Sequence, residues 1–303
     1  FNKKPVTIDN NSLIMAIESS CDETACAIVK GGREVLANVV ASQIKIHEEY
    51  GGVIPEIAAR EHLEAINVVI DEALKQAGVN GKDISAFAGT VGPGLVGCLL
   101  VGMNAAKSLA LAYDKPFIGI NHLNAHLAAN FIDTDLEPPF VALLVSGGHT
   151  QIIKVTSFSD MQIIGETIDD AVGEAYDKVA RLIGLPYPGG PKLDKLAQVG
   201  NSSAFKLPEA KVGEYDFSFS GLKTAALRLV KSFDGKELPL EDICASFQEC
   251  VSSTLYKKVL HALEETGYRQ VVLAGGVAAN SEIRKKIFSL QDLGYKAYAP
   301  AMK

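Results

Sequence analysis

The chain has 303 residues, of which 48% are hydrophobic and 21% are charged, and its net charge is −7. This length suits two lobes better than one core, and the composition excludes a disordered or low-complexity protein. A protein that binds RNA unaided usually has a basic surface, because phosphate contacts dominate the affinity. Any RNA contact of this acidic chain is therefore expected to be local, or to be shared with a partner.

The cysteines and apolar runs indicate a cytoplasmic protein. The five cysteines are odd in number and form no CxxC pair, which argues against a disulfide framework or a zinc ribbon. The longest apolar run, at 94–103, is too short and too rich in glycine to span a bilayer. Residues 1–11 carry two lysines but no apolar stretch, so they are not expected to be a secretory signal.

Taken in chain order, the first half alternates short strands with helices. The predicted elements are a strand at 13–17, a hairpin with strands at 25–29 and 35–40, a helix at 55–76, a strand at 84–90, a helix that runs through Leu111, a strand at 117–121 and a helix near 122–131.

The opening pattern then returns. A strand at 140–145, a polar loop at 146–150 and a strand at 151–155 repeat the unit that begins the chain, which predicts an internal duplication. We place the lobes at 1–136 and 137–303. The rest of the second lobe is expected to contain an irregular stretch rich in glycine and proline at 184–219, a long helix at 240–267, a strand at 270–273, a helix from Asn280 and a strand at 295–300.

Three loops rich in glycine or hydroxyl groups each follow an apolar strand, at 19–24, 146–150 and 274–280. For each loop alone, an ordinary tight turn is the better explanation. Three loops with the same placement predict a nucleotide cleft between the lobes, because glycine lets backbone N–H groups approach phosphate. The chain has no GxxxxGKS motif, so this is not a P-loop. The α/β architecture expected is the two-lobed, actin-like one shared by chaperone ATPases and sugar kinases.

His122 and His126 are spaced to lie on one helical face, about one turn apart. Such a pair can occupy two adjacent coordination sites of zinc or iron, although a third ligand is needed. The alternative is one capping or core histidine and one exposed histidine. Leu123 stands where the peptidase motif HExxH has its glutamate, which argues against zincin-type proteolysis.

Acidic residues crowd into the block at 165–181, where Glu166 and Asp169 precede three further carboxylates. Asp170, Glu174 and Asp177 are spaced i, i+4 and i+7 and are predicted to share one helical face. Such a face is usually solvated. The stiff turn at 187–191 follows closely, so these carboxylates could instead line a pocket and bind ribose hydroxyls or magnesium.

Together these segments resemble the TsaD family, also called Gcp and formerly labelled O-sialoglycoprotein endopeptidase. The resemblance covers nearly the whole chain from Leu13 onwards. The matching motifs, in family order, are IESSCDET, SQIKIHEEYGGVIPEIAAREH, GPGLVGCLLVG, NHLNAH, FVALLVSGGHTQ, GETIDDAVGEAYDKVARLIGLPYPGGP, DFSFSGLKTA, ASFQE and LAGGVAAN.

The resemblance implies an actin-like fold and a tRNA-modifying activity. Family members transfer a threonylcarbamoyl group from threonylcarbamoyl-AMP to N6 of adenosine 37 in tRNAs that read codons beginning with A, and release AMP. The implied cofactor is one divalent metal, Fe²⁺ in preference to Zn²⁺, held by His122 and His126. Its third ligand, an aspartate, is expected beyond residue 303. Threonylcarbamoyl-AMP or ATP/ADP, with or without Mg²⁺, would occupy the cleft.

The family's nucleotide or substrate contacts fall on nine residues of this chain: Leu144, Val145, Ser146, Gly147, Gly148, Asp177, Gly190, Asp194 and Asn280. The implied partners are tRNA, a TsaB-type paralogue and a TsaE-type ATPase, and the chain is expected to form a homodimer or a heterodimer.

Asp22 and Glu23 are our candidates for accepting a proton or positioning the ligand. Loop capping explains the same two residues equally well. Three rival functions remain open at this point: a non-catalytic nucleotide-binding scaffold, a metallopeptidase and a small-molecule kinase of the same fold.

Overall fold

The computed structural model describes residues 9–132, 134–158, 160–233 and 235–300. The chain divides into two compact units, Phe1–Thr134 and Asp135–Lys303. The assignment of a histidine lobe to 1–136 and a nucleotide lobe to 137–303 stays a prediction. The expectation that residues 1–11 are not a secretory signal falls mostly on residues 1–8, which lie outside the described residues.

The first unit contains one five-stranded sheet in the order β3-β2-β1-β4-β5. Its first strand pairs antiparallel with the second and parallel with the fourth. The elements are β1 (Leu13–Glu18), β2 (Glu23–Lys30), β3 (Glu34–Ser42), α1 (Ile44–Glu48), α2 (Pro55–Ala77), β4 (Ala86–Gly92), α3 (Val96–Ala112), β5 (Phe117–Asn121) and α4 (His122–Ala128), with 3-10 turns at Gly81–Asp83 and Ala129–Phe131.

Small residues allow helix α3 to lie close against the loop that follows β1. A Cβ atom on Gly102 would stand 2.4 Å from the Oγ atom of Ser19, and no larger residue fits there without displacing the loop. The backbone N–H of Gly102 donates to Ser19 Oγ (3.0 Å), and the Ser19 hydroxyl donates to the carbonyl of Cys98 (2.8 Å). The start of the loop at 19–24 is therefore held against α3.

The second unit also contains one five-stranded sheet, in the order β10-β9-β6-β7-β8. Its elements are β6 (Phe140–Val145), β7 (Thr150–Ser157), β8 (Asp160–Glu166), α5 (Val172–Leu182), α6 (Gly189–Ala197), α7 (Ser220–Ser232), α8 (Leu240–Thr266), β9 (Gln270–Ala274), α9 (Ser281–Phe288) and β10 (Lys296–Tyr298), with 3-10 turns at Gly276–Ala279 and Ser289–Leu293.

The two sheets have the same connectivity. In the second unit, β6 pairs antiparallel with β7 and parallel with β9, as β1 pairs with β2 and β4 in the first. The outer strands follow the same rule, since β3 and β8 are antiparallel neighbours while β5 and β10 are parallel neighbours. This correspondence confirms the internal duplication predicted from the strand–loop–strand repeat.

Two expectations about the second half are wrong. The stretch at 184–219 is not wholly irregular, because it contains α6. Glycine and proline are poor residues for a helix interior, but here they occupy the first turn, where proline is tolerated. Asp170 does not share a helical face with Glu174 and Asp177, because the chain is extended at Ala171 and α5 begins only at Val172. The sequence also left β8 and α7 unpredicted.

Strand β6 lies at the centre of the second unit's core. All six of its side chains are buried, as expected for a strand covered on both faces. Helix α8 buries thirteen of its residues, among them Ile243, Phe247 and Val251.

None of the described helices combines the length and the apolar character that a bilayer crossing requires.

Candidate functional site

The two histidines lie on helix α4, directly after strand β5, with His122 as its first residue and His126 in its last turn. The side chain of Asn121 caps this helix by accepting hydrogen bonds from the backbone N–H groups of Leu123 (2.9 Å) and Asn124 (3.3 Å). The rings of His122 and His126 are half-buried, with centroids 4.5 Å apart and planes at 76°. The predicted placement of both imidazoles on one helical face is therefore what the structure has.

A carboxylate that the sequence had not singled out lies behind the first histidine. The Nδ1 atom of His122 is 3.2 Å from Oε2 of Glu18 and 3.2 Å from Oγ of Ser20. Glu18 also accepts from the Thr90 hydroxyl and, at 2.5 Å, from the backbone N–H of Ser20. Burial raises the pKa of Glu18, but hydrogen bonds from His122, Ser20 and Thr90 outweigh burial and lower it to about 2.

This arrangement fits a metal-binding histidine pair. A carboxylate that accepts from one ring nitrogen fixes the tautomer and leaves the other nitrogen available, as in many metal sites. Within the described ranges, no three His, Cys, Asp or Glu side chains come together as a metal site. Two imidazoles are thus the donors that the structure offers here, and the predicted aspartate beyond residue 303 stays a prediction.

The candidates Asp22 and Glu23 occupy the end of the same loop and the start of β2. The carbonyl of Asp22 accepts from the backbone N–H of Gln43 (3.0 Å), and Glu23 is exposed. The carboxylate that lies against His122 is that of Glu18, and not that of Asp22 or Glu23. The chemical roles of the latter two stay predictions.

The second unit contains a cavity of about 270 Å³ at the ends of strands β6 and β9. Its walls are the loop after β6, one face of α5, the first turn of α6 and the 3-10 turn after β9. It is lined by Gly147, Gly173, Tyr176, Asp177, Pro188, Gly190, Pro191, Asp194, Gly276, Val277, Ala279 and Asn280.

Five of the nine predicted nucleotide contacts line this cavity, namely Gly147, Asp177, Gly190, Asp194 and Asn280. Ser146 and Gly148 flank Gly147 in the same loop. The remaining two, Leu144 and Val145, are fully buried in β6. Any contact that they make with a ligand would therefore be through the backbone.

Asp177 organises the first turn of α6. Its Oδ1 atom accepts from the backbone N–H groups of Gly189 (2.9 Å) and Gly190 (3.1 Å), two donors that a helix start leaves unpaired. A Cβ atom on Gly189 would stand 2.4 Å from the Cβ of Ala180, so glycine lets α6 approach α5. The LPYPGGP segment is therefore a helix start that forms one wall of the cavity.

The loop at 146–148 has protein on one side and open space on the other. A Cβ atom on Gly173 would stand 2.7 Å from the carbonyl oxygen of Ser146, so α5 presses directly against the loop. Cβ atoms on Gly147 or Gly148 would meet no protein atom within 4 Å. Backbone N–H groups in such a loop can approach an anion closely.

Hydrogen bonds from behind the cavity hold the side chains of Asp194 and Asn280. Asp194 Oδ1 accepts from the Ser281 hydroxyl (2.6 Å) and from the Gln248 amide (2.9 Å). Asn280 Oδ1 accepts from the Ile283 backbone N–H (3.0 Å) and so caps α9. Its Nδ2 donates to Gln248 Oε1 (2.9 Å). Both cavity residues are thus held in fixed orientations.

The other acidic residues of the block at 165–181 have structural partners. Lys178 Nζ lies 2.6 Å from Asp170 and 2.8 Å from Glu174, and these hydrogen bonds raise the pKa of Lys178. Asp169 accepts from the backbone N–H groups of Phe219 (2.8 Å) and Ser220 (3.3 Å) at the start of α7. Of the three carboxylates predicted on one face, only Asp177 lines the cavity.

Comparison with known proteins identifies a family. A family model described as "TsaD: tRNA N6-adenosine threonylcarbamoyltransferase" matches residues 34–303. A protein of that name from Clostridium perfringens (strain SM101) is 54% identical over 283 residues, which cover 92% of this chain and 84% of that protein. One from Picosynechococcus is 50% identical over 303 residues, covering 96% and 85%.

Solved structures support the fold. HypF from T. kodakarensis has a TM-score of 0.65 at 14% identity, covering 99% of this chain and 46% of that one. Component A of the Acidaminococcus fermentans (R)-2-hydroxyglutaryl-CoA dehydratase has a TM-score of 0.56 at 18% identity, covering 95% and 92%. Identities this low show the fold alone. With the duplicated sheets, they confirm the predicted α/β fold of the actin-like class.

Proposed function

The chain belongs to the TsaD family of tRNA N6-adenosine threonylcarbamoyltransferases, and we propose that it transfers the threonylcarbamoyl group from threonylcarbamoyl-AMP to N6 of adenosine 37. The tRNAs concerned read codons that begin with A, and AMP is the second product. The observation that carries this proposal is the match over residues 34–303, in which five of the nine expected nucleotide contacts line one cavity of the second unit.

The reaction sets three demands on the protein. The N6 amine is a weak nucleophile because its lone pair is delocalised into the adenine ring. The carbamoyl carbon is activated by its mixed-anhydride link to AMP. As the new C–N bond forms, the C–O bond to the AMP phosphate breaks and N6 loses a proton. The protein must therefore align the two reactants, polarise the carbonyl and accept that proton.

The cavity of the second unit is the proposed nucleotide site. Backbone N–H groups of Ser146, Gly147 and Gly148 would bind the phosphate, since no side chain competes for the space in front of the two glycines. The nucleoside would contact Asp177, Gly190, Asp194 and Asn280, four residues that line the cavity. A mostly apolar cavity with a few oriented polar groups is typical of a small-ligand site.

A metal ion and a nucleotide-type substrate are features of this family. We propose that His122 and His126 would hold a divalent metal, Fe²⁺ in preference to Zn²⁺, which would act as a Lewis acid or as an orienting template. Glu18 would keep the His122 ring oriented by accepting the proton of Nδ1. Asp22 or Glu23 would accept the N6 proton or position the ligand.

The tRNA substrate follows from the family. We propose that a TsaB-type paralogue and a TsaE-type ATPase act with this chain, and that the reaction takes place in the cytoplasm. The net charge of −7 supports a shared grip on tRNA, because an acidic protein gains little from long-range attraction to phosphate.

The test is a transfer reaction in vitro. The full-length protein and both partners are incubated with threonylcarbamoyl-AMP and unmodified tRNA, and AMP release is followed by chromatography. Equal amounts of AMP and modified adenosine support the transferase. Nucleotide binding without AMP release favours a scaffold, and phosphorylation of a metabolite without tRNA favours a kinase. Either of these outcomes contradicts the proposal.

A further inference from the structure

Helix α8 carries a buried amide that joins three separate walls of the cavity. Gln248 is 3% exposed and does not itself line the cavity. Its Oε1 atom accepts from the hydroxyl of Tyr176 on α5 (3.3 Å) and from Nδ2 of Asn280, which precedes α9 (2.9 Å). Its Nε2 atom donates to Oδ1 of Asp194 on α6 (2.9 Å). One side chain thus contacts α5, α6 and the segment before α9.

The chemistry of these partners determines the orientation of the amide. The carbonyl oxygen must face the Tyr176 hydroxyl and the Asn280 amide, which both donate, while the NH₂ group must face the Asp194 carboxylate. The reversed amide would place NH₂ against NH₂ and oxygen against carboxylate. Burial raises the pKa of Tyr176 well above its usual value, so its hydroxyl keeps the proton that it donates.

Further contacts hold two partners of the amide, Tyr176 and Asp194, in place. The ring of Phe247 meets the ring of Tyr176 edge-on, with centroids 5.0 Å apart. Ser281 shares the Asp194 carboxylate with Gln248, donating through its backbone N–H to Oδ2 (3.1 Å) and through its hydroxyl to Oδ1 (2.6 Å). Of the four lone-pair positions of the carboxylate, these bonds leave about one on Oδ2 for a ligand.

We propose that Gln248 is a positioning residue of the nucleotide cavity, which sets the orientations of Asp194 and Asn280 toward the ligand. This inference rests on the proposed function, because it takes those two residues to be nucleotide contacts. Without the Gln248 amide, the Asp194 carboxylate loses a donor and Asn280 loses the acceptor of its NH₂ group. Asp194 then keeps its bonds from Ser281 and Asn280 keeps the one from Ile283, so both side chains are held less firmly in the positions that a nucleotide needs.

Two substitutions separate the polarity of Gln248 from its volume. Gln248→Leu fills similar space but removes all three hydrogen bonds. Gln248→Glu keeps an acceptor for Tyr176 and Asn280 but sets a carboxylate against that of Asp194. The matched control is Ser252→Ala, one turn further along α8. Ser252 is also buried, and its hydroxyl donates to the carbonyl of Glu249 on the same helix and not to a residue that lines the cavity, among the described residues.

The measurement is the Kd of ADP by titration calorimetry between pH 5 and pH 8, with the thermal midpoint recorded for each variant. We expect Gln248→Leu to raise the Kd at least tenfold, roughly what the loss of one hydrogen bond to a charged group costs. Gln248→Glu should bind weakly at pH 8 and regain affinity as the pH falls, because a proton shared between the two carboxylates restores the lost hydrogen bond.

The wild-type chain is the baseline for this pH dependence, since the other titratable groups nearby are common to all variants. They are Tyr176, Asp194, Cys244 and Glu282, with the Glu249–Lys286 ion pair on the next position of α8. A wild-type Kd in both Gln248 variants would overturn the proposal. So would an equal loss of affinity in Ser252→Ala, or a Gln248→Glu profile parallel to that of the wild type.

The pH profile of Gln248→Glu decides the question even if Gln248→Leu folds poorly. The proposed function fails separately. If the wild-type chain binds ADP but yields no modified tRNA with competent partners, the transferase is wrong while the effect of Gln248 on the cavity can still be measured.

Discussion

The Oε2 atom of Glu18 lies 3.2 Å from the Nδ1 atom of His122, so a carboxylate at the end of β1 orients the first residue of α4. Both residues belong to the first unit, and Ser20 and Thr90 hold the same carboxylate in place. The first histidine of the pair is therefore held in its orientation by neighbouring side chains.

Replacing Glu18 should weaken metal binding without unfolding the protein. We expect Glu18→Gln to lower metal affinity about 10–100-fold, the usual effect of removing the carboxylate behind a histidine ligand. Competition with a chelator, followed by elemental analysis, measures this. Glu34→Gln is the control, because Glu34 is exposed on β3 and pairs only loosely with Lys30 (4.0 Å). Unchanged affinity in Glu18→Gln would show that His122 needs no support from this carboxylate.

Alanine at Asp22 or Glu23 should slow transfer while leaving the fold intact. If one of them accepts the N6 proton, its loss should lower kcat by about 10²–10⁴-fold, the range for general base catalysis. The thermal midpoint should change little, because Glu23 is exposed and Asp22 is half-buried. Rates are measured in single turnover with both partners present. Near-normal rates in both variants would remove the two residues from the mechanism and leave them a capping role.

Two glycines around the phosphate loop should respond in opposite ways to an added methyl group. Gly147→Ala should retain stability, because its Cβ meets no protein atom within 4 Å, yet bind ADP more weakly. Gly173→Ala should lose about 1–3 kcal/mol of unfolding free energy, since its Cβ would stand 2.7 Å from Ser146 O. Urea unfolding and calorimetry measure the pair. Wild-type ADP binding by Gly147→Ala would place the phosphate elsewhere.

The carboxylate of Asp169 should stabilise the fold in a pH-dependent way. Burial raises its pKa, but hydrogen bonds from Ser218, Ser220 and Phe219 outweigh burial and lower it below the usual value of 3.8. A lowered pKa gives stability that is present above the unfolded value and lost as the pH falls through the folded one. The thermal midpoints of the wild type and Asp169→Asn should therefore differ at pH 7 and converge below that folded pKa. A difference that is constant with pH would contradict this.

The strand pattern of the chain could be predicted from its sequence because it depends on local periodicity. The strand at 140–145 and the helix at 240–266 combine apolar residues at the right spacing with clear flanking turns. Helix α6 could not be predicted in this way, because Gly189, Gly190 and Pro191 are turn residues by local preference. The hydrogen bonds from Asp177 that stabilise its start are tertiary contacts.

The same distinction applies to the candidate sites. The spacing of His122 and His126 predicts their common face, since a helix alone determines it. Glu18 was missed because its contact with His122 spans 104 residues. Gln248 was missed because it looks like one polar position of a long helix. A glutamine amid the buried residues Cys244, Phe247 and Val251 was the available signal, since a buried amide needs partners.

The most direct test of the account is the amount of threonylcarbamoyl-adenosine formed in tRNA by the full-length protein with both partners, measured by mass spectrometry after digestion. The wild type and His261→Ala are compared with His122→Ala/His126→Ala. His261 is a suitable control because it is a half-buried histidine of the second unit that bonds to Glu214 (2.8 Å), stacks against Tyr215 and does not line the cavity. The account predicts modified tRNA from the first two proteins and at least a hundredfold less from the double variant. Full modification by the double variant, or none by the wild type, would contradict it.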